Sequence, residues 1–137
     1  MNSIIIYDGS FPGLFTALYD IYLLKINKPI IRSRFDQNID LFNQEIRITT
    51  DTEKSEKVLA KLQKLIGVSR LQKLYKVFLS EDPQAENLII QYCMIAINDD
   101  IDKLSDFGNL VVSRIEKIVK MVGREPSHES VHPFQGN

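Results

Sequence analysis

The sequence predicts an α+β fold: a mostly helical bundle of about five helices carrying a small two-stranded sheet. Three observations lead there. Two short β-patterned runs stand at residues 3–7 and 45–49, four helical patterns follow one another after residue 50, and an apolar stretch at 88–97 has the character of a helix enclosed by others. Length and composition are compatible with this. The chain has 137 residues, 44% of them hydrophobic and 26% charged, with 6 Gly and 5 Pro, which are values of a globular domain able to bury its own core.

Ile4, Ile5, Ile6 and Tyr7 form a β-branched and aromatic run stopped by Asp8-Gly9-Ser10, as a buried strand ending in a turn does. Ser10 then fits the N-cap of a helix and Pro12 its first turn. Leu14, Ala17, Leu18, Ile21, Tyr22 and Leu24 recur at helical spacing before Asn27 and Pro29 end the pattern. From Pro29 to Asn43 the pattern is irregular, which predicts a long surface loop anchored by Ile30, Ile31, Phe35, Ile39, Leu41 and Phe42. Glu45-Ile46-Arg47-Ile48-Thr49 alternates with period two, as a half-buried strand does, and is expected to pair with the Ile4 strand.

Thr50 followed by Glu53 reads as a capping box, and Val58, Leu59, Leu62, Leu65 and Ile66 form an apolar stripe that Gly67 closes. The next helix begins near Ser69 with Leu71, Leu74, Tyr75, Phe78 and Leu79 on its buried face. Asp82-Pro83 opens the central helix, whose body runs from Leu88 to Ile97. The last helix is expected from about Asp106 to Val122, with Val111, Ile115, Ile118, Val119 and Val122 on one face and Gly123 as its stop. Residues 1–125 thus form one domain, and Pro126, Ser127, Ser130, Pro133 and Gly136 mark 126–137 as a flexible tail.

The net charge of −1 excludes a strongly cationic surface overall but conceals a segmental pattern. Residues 51–80 carry +4, residues 81–109 carry −6 and residues 110–125 carry +2. Arg114, Lys117, Lys120 and Arg124 fall on one side of the last helix, opposite its apolar stripe, where they are candidates to follow a nucleic-acid backbone. Lys54, Lys57, Lys61 and Lys64 make a similar row, and no aromatic is interleaved with either. Such rows are also what an ordinary solvated helix face looks like.

The turn Asp8-Gly9-Ser10-Phe11-Pro12-Gly13 delivers an Asp and a Ser at a strand end, ahead of a helix N-terminus. Asp8 and Ser10 are therefore candidates for a polar or phosphate-contacting site, or for simple caps of the turn and helix. The spacing is neither a Walker A loop nor a dinucleotide fingerprint, and no cofactor is implied. His128 and His132 are four residues apart, but two prolines bracket them in the tail, so no metal site is expected. The single cysteine, Cys93, lies on the most apolar helix, which predicts an inert core thiol with a raised pKa. With one cysteine, no secretory signal pattern and no long apolar run, a cytoplasmic protein without membrane association is expected.

The string Tyr7-Asp8-Gly9-Ser10-Phe11-x-Gly13-Leu14 resembles the opening of a bacterial family of proteins proposed to act in DNA metabolism or repair. That family is a domain of unknown function sometimes fused to a uracil-DNA glycosylase-like domain. The likeness continues through Tyr75-x-x-Phe78-Leu79-Ser80, Gln91-Tyr92 and Lys120-Met121-Val122-Gly123-Arg124-Glu125, covering about residues 3–125. What the resemblance implies is an association with DNA, a partnership with a radical-SAM protein or a glycosylase-like partner, and no defined reaction. Where the family continues with Ala-His-Arg-Met, this chain reads Pro126-Ser127-His128-Glu129. The resemblance thus implies a C-terminally shortened member, to which glycosylase chemistry is not assigned.

The leading expectation is a DNA-associated accessory domain with Arg114, Lys117, Lys120 and Arg124 on phosphates. The alternatives are an enzyme acting on a nucleotide or nucleobase with Asp8 as acid or base, and a protein-interaction module without catalysis.

Overall fold

A central strand with a continuous apolar run needs neighbours on both edges, and this chain supplies two. The computed structural model describes residues 3–26, 29–33, 44–98 and 101–122. It divides between Lys61 and Leu62 into two compact units.

In the first unit β1 (Ser3–Tyr7) lies between β2 (Pro29–Ser33) and β3 (Gln44–Arg47), and both pairings are parallel. Ile5 stands in register with Ile31 on one side and Ile46 on the other. The expected sheet of two strands is thus corrected to three, since residues 29–33 of the expected loop form an edge strand. Pro29 occupies the first position of that strand, where its missing N–H interrupts little of a ladder. Parallel neighbours require a crossover, and α1 (Phe11–Leu23) provides the one between β1 and β2. Leu14, Phe15, Ala17, Leu18 and Ile21 are buried along α1, as the apolar spacing predicts.

α2 (Thr52–Ile66) begins one residue later than its expected capping box. Asp51 is the cap: its Oδ1 accepts from the backbone N–H groups of Glu53 and Lys54 at 3.0 and 3.2 Å. Thr50 is turned to a different partner, described below. Gly67 follows α2 with φ of 87° and ψ of 163°, an extended positive-φ conformation that only glycine adopts readily, and directly precedes α3.

The second unit is helical. α3 (Val68–Leu79), α4 (Ala85–Asn98) and α5 (Leu110–Val122) pack against one another, with a 3₁₀ turn at Ile101–Ser105 against α4. α4 buries Ala85, Leu88, Ile89, Ile90, Tyr92, Cys93 and Ala96, which is the enclosed central helix that its composition predicts. Leu71, Leu74 and Val77 form the buried face of α3, whereas Leu79, expected inside, is exposed. α5 starts at Leu110, not at Asp106. Asn109 caps it through Oδ1, which accepts from the N–H groups of Val111 and Val112 at 2.9 and 3.3 Å, while residues 106–109 form a separate turn. Val112, Ile115 and Ile118 face the core. Gly123, Arg124 and the expected tail at 126–137 lie outside the described residues.

Candidate functional site

The turn after β1 is a closed polar cluster. Asp8 Oδ1 accepts from the Ser10 backbone N–H at 2.9 Å and from Ser10 Oγ at 2.6 Å, and Asp8 Oδ2 accepts from Thr50 Oγ1 at 2.6 Å. Ser10 Oγ in turn accepts from the Gly13 N–H at 3.0 Å, which makes Ser10 the N-cap of α1. Both carboxylate oxygens of Asp8 and the hydroxyl of Ser10 thus close the turn and start the helix. Gly9, at φ 86°, makes the reversal without the steric penalty other residues meet there. One turn along α1, the buried Thr16 hydroxyl lies 2.9 Å from Pro12 O and 3.1 Å from both the backbone O and N of Asp51. Thr16 and Thr50 therefore fasten the chain after β3 to the N-terminal turn of α1. Sequence reasoning missed both; the one available signal was a lone threonine on the otherwise apolar face of α1.

Half of the basic row on α2 is engaged in pairs. Lys54 Nζ lies 3.1 Å from Asp20 Oδ1 and 5.4 Å from the centre of the Tyr19 ring. The hydrogen bond and charge of Asp20 raise the Lys54 pKa above its ordinary range. Lys57 pairs with Glu53 at 3.4 Å on an exposed surface. That leaves Lys61 and Lys64 as exposed cations without an ion pair on this helix among the described residues.

On α5 the arrangement is different. Ser113, Glu116, Lys117 and Lys120, together with Phe107 from the preceding turn, line a groove of about 400 Å³. Lys117 and Lys120 are exposed and, among the described residues, make no ion pair; the same is true of Arg114, which lies on the same helix but does not line the groove. Glu116 is bound to Lys73 of α3 at 2.6 Å, which balances the one negative charge in the lining. Phe107 is 66% exposed. The rows themselves hold no aromatic, but the turn ahead of α5 supplies one beside two lysines of the row. The available signal was the pattern Asp106-Phe107-Gly108-Asn109, an aromatic in a turn between two acceptors of backbone N–H groups.

Cys93 is fully buried, and burial pushes its thiol far above the ordinary thiol range, so it has no nucleophilic form near neutral pH. Among the described residues no group of three His, Cys, Asp or Glu side chains is placed to hold a metal ion, and His128 and His132 lie outside them. No helix among the described residues is long and apolar enough to cross a membrane. The chain matches no protein-family profile, and no curated protein or solved structure shows significant similarity to it.

Proposed function

We propose that the chain is a DNA-associated accessory domain in DNA metabolism or repair, and that α5 carries its nucleic-acid contact. The observation that supports this most is the pair of exposed lysines, Lys117 and Lys120, which make no ion pair among the described residues, on a groove that also displays an aromatic ring. Two such cations are suited to phosphate oxygens, and the Lys73 partner of Glu116 offsets the nearest repulsive charge. Arg114 on the same helix adds a third exposed cation, and Arg124, the fourth member of the expected row, lies outside the described residues. The resemblance of the opening and closing motifs to a family linked to DNA metabolism favours the same reading. Asp8 and Ser10 serve in it as caps of the turn and of α1, the role that their hydrogen bonds to the Ser10 and Gly13 N–H groups support.

The test is binding of a fluorescent duplex across a range of salt concentrations. Affinity is expected to fall as salt rises, with a log–log slope of about −0.9 for each phosphate neutralised, so that replacing Lys117 and Lys120 by alanine flattens the slope by about 1.8. Binding that ignores salt, or that survives the double replacement unchanged, removes the proposal. The exposure of Leu110 and Met121, 75% and 61%, favours a protein-interaction module as the second reading. In that case Leu110→Asp and Met121→Asp abolish partner binding while the lysine replacements have little effect.

A further inference from the structure

We infer that the α5 groove takes single-stranded rather than duplex DNA, with one unpaired base stacked on Phe107 and its flanking phosphates on Lys117 and Lys120; this rests on the nucleic-acid reading just proposed. A lysine row alone attracts any polyanion. What distinguishes this groove is the phenyl ring at its edge, 66% exposed although its backbone is held. Asp106 Oδ1 accepts from the Gly108 N–H at 2.9 Å, the Asn109 N–H donates to the Asp106 carbonyl at 3.0 Å, and Asn109 caps α5. The turn that carries Phe107 is thus tied at both ends, and the ring is presented from a fixed base. A large apolar side chain kept in water beside charged groups gains when a flat partner covers it, by about 1–3 kcal/mol when that partner is a nucleobase.

The geometry of the partner follows from the lining. In a duplex both faces of each base are covered by its neighbours, so a side chain standing beside the backbone contacts reaches phosphate but no π-face. An unpaired base offers one. Lys117 and Lys120 are about 4.5 Å apart along the helix axis, and their long flexible stems let the two ammonium groups reach successive phosphates. The exposed Ser113 hydroxyl adds a donor and acceptor to the lining. A volume of about 400 Å³ falls in the range of clefts that hold small organic groups.

The experiment compares a labelled oligothymidylate of about 12 nucleotides with a blunt duplex of the same length, by anisotropy, for the wild type and three Phe107 variants. Tighter binding of the single strand is expected, with Phe107→Ala weakening it by about 5- to 150-fold, the equivalent of one lost stack, and leaving the duplex unchanged. Phe107→Tyr should retain the preference. Phe107→Leu, which keeps an apolar side chain but no π-face, should lose it. Because the side chain is exposed, these variants should keep the wild-type circular dichroism and melting temperature.

If the protein binds both DNAs in a salt-dependent way through Lys117 and Lys120 but Phe107→Ala is silent, the inference is overturned while the phosphate contact stands. A Phe107→Leu variant with wild-type affinity for the single strand overturns it too, since an apolar contact without a π-face would then suffice. Absence of salt-dependent binding to either DNA removes the underlying proposal as well.

Discussion

Gly13 shows how tightly the polar turn is built. A β-carbon there would stand 2.8 Å from Thr50 Oγ1 and 2.9 Å from Ser10 Oγ, and would run into Asp8 Oδ1. None of these atoms is the loose end of a mobile side chain, because each is held by the hydrogen bonds around Asp8. An ordinary glycine inside a helix gains about 1 kcal/mol on replacement by alanine. Here overpacking outweighs that gain, and Gly13→Ala is expected to destabilise the protein by about 1–3 kcal/mol in urea denaturation. Repeating the replacement in an Asp8→Ala background should remove most of the penalty, a coupling that the double-mutant cycle reads directly. Equal penalties in both backgrounds would show that Asp8 is not the obstacle. The cap itself was legible, since Ser10 precedes a first-turn proline. The Thr50 contact was not: it joins residues 42 apart in the chain, and nothing in either local pattern marks the other.

At the scale of elements, periodicity located the helices well and their first residues less well. A boundary is set by which of several polar side chains captures the free backbone N–H groups, and neighbouring acceptors compete. Asp51 does so for α2 in place of Thr50, and Asn109 does so for α5 while Asp106 closes its own exposed turn. This has a measurable consequence. Asn109→Ala should cost about 1 kcal/mol, and Asp106→Ala no more than about 0.5 kcal/mol, as read from shifts in the urea midpoint at constant slope. The reverse order would mean that α5 starts where its sequence pattern first suggests. The edge strand β2 was hidden for another reason. Its five residues, Pro29 to Ser33, combine a leading proline with Arg32 and Ser33, so they lack alternation and gain their order from the register with β1. The direction of pairing is a long-range property as well. Residues 45–49 were recognisable as a strand, but only the crossover through α1 and the chain's return to the other edge of β1 make the sheet parallel.

For the molecule as a whole, the formal charge of −1 says little, because what matters is which charges are balanced locally. Lys54, Lys57 and Lys73 have carboxylate partners, and among the described residues Lys117 and Lys120 do not, a distinction absent from the segment totals. The same accounting predicts how stability responds to alkali. Cys93 has an ordinary pKa of 9.0, but burial keeps its thiol protonated in the folded state far beyond that value. Above pH 9 the unfolded chain releases this proton and the folded chain retains it. The folded state then binds more protons, so stability falls as pH rises. Tyr92 acts in the same direction, since burial raises its phenol above 10.0. Lys54 does likewise: its attraction to Asp20 is fully present below its ordinary 10.5 and is lost as pH rises through the higher folded value. Stability should therefore be nearly level around pH 8 as far as these groups are concerned, then decline through pH 9 to 11. The share due to the thiol approaches about 1.4 kcal/mol per pH unit. Cys93→Ala, although destabilised at every pH by the small cavity it leaves, should show a decline between pH 9 and 10 that is shallower by about 1 kcal/mol. Urea denaturation of both proteins at closely spaced pH values measures the difference. Parallel curves would mean that the Cys93 thiol ionises as readily in the folded protein as in the unfolded chain, which the enclosure of α4 by α3 and α5 does not permit.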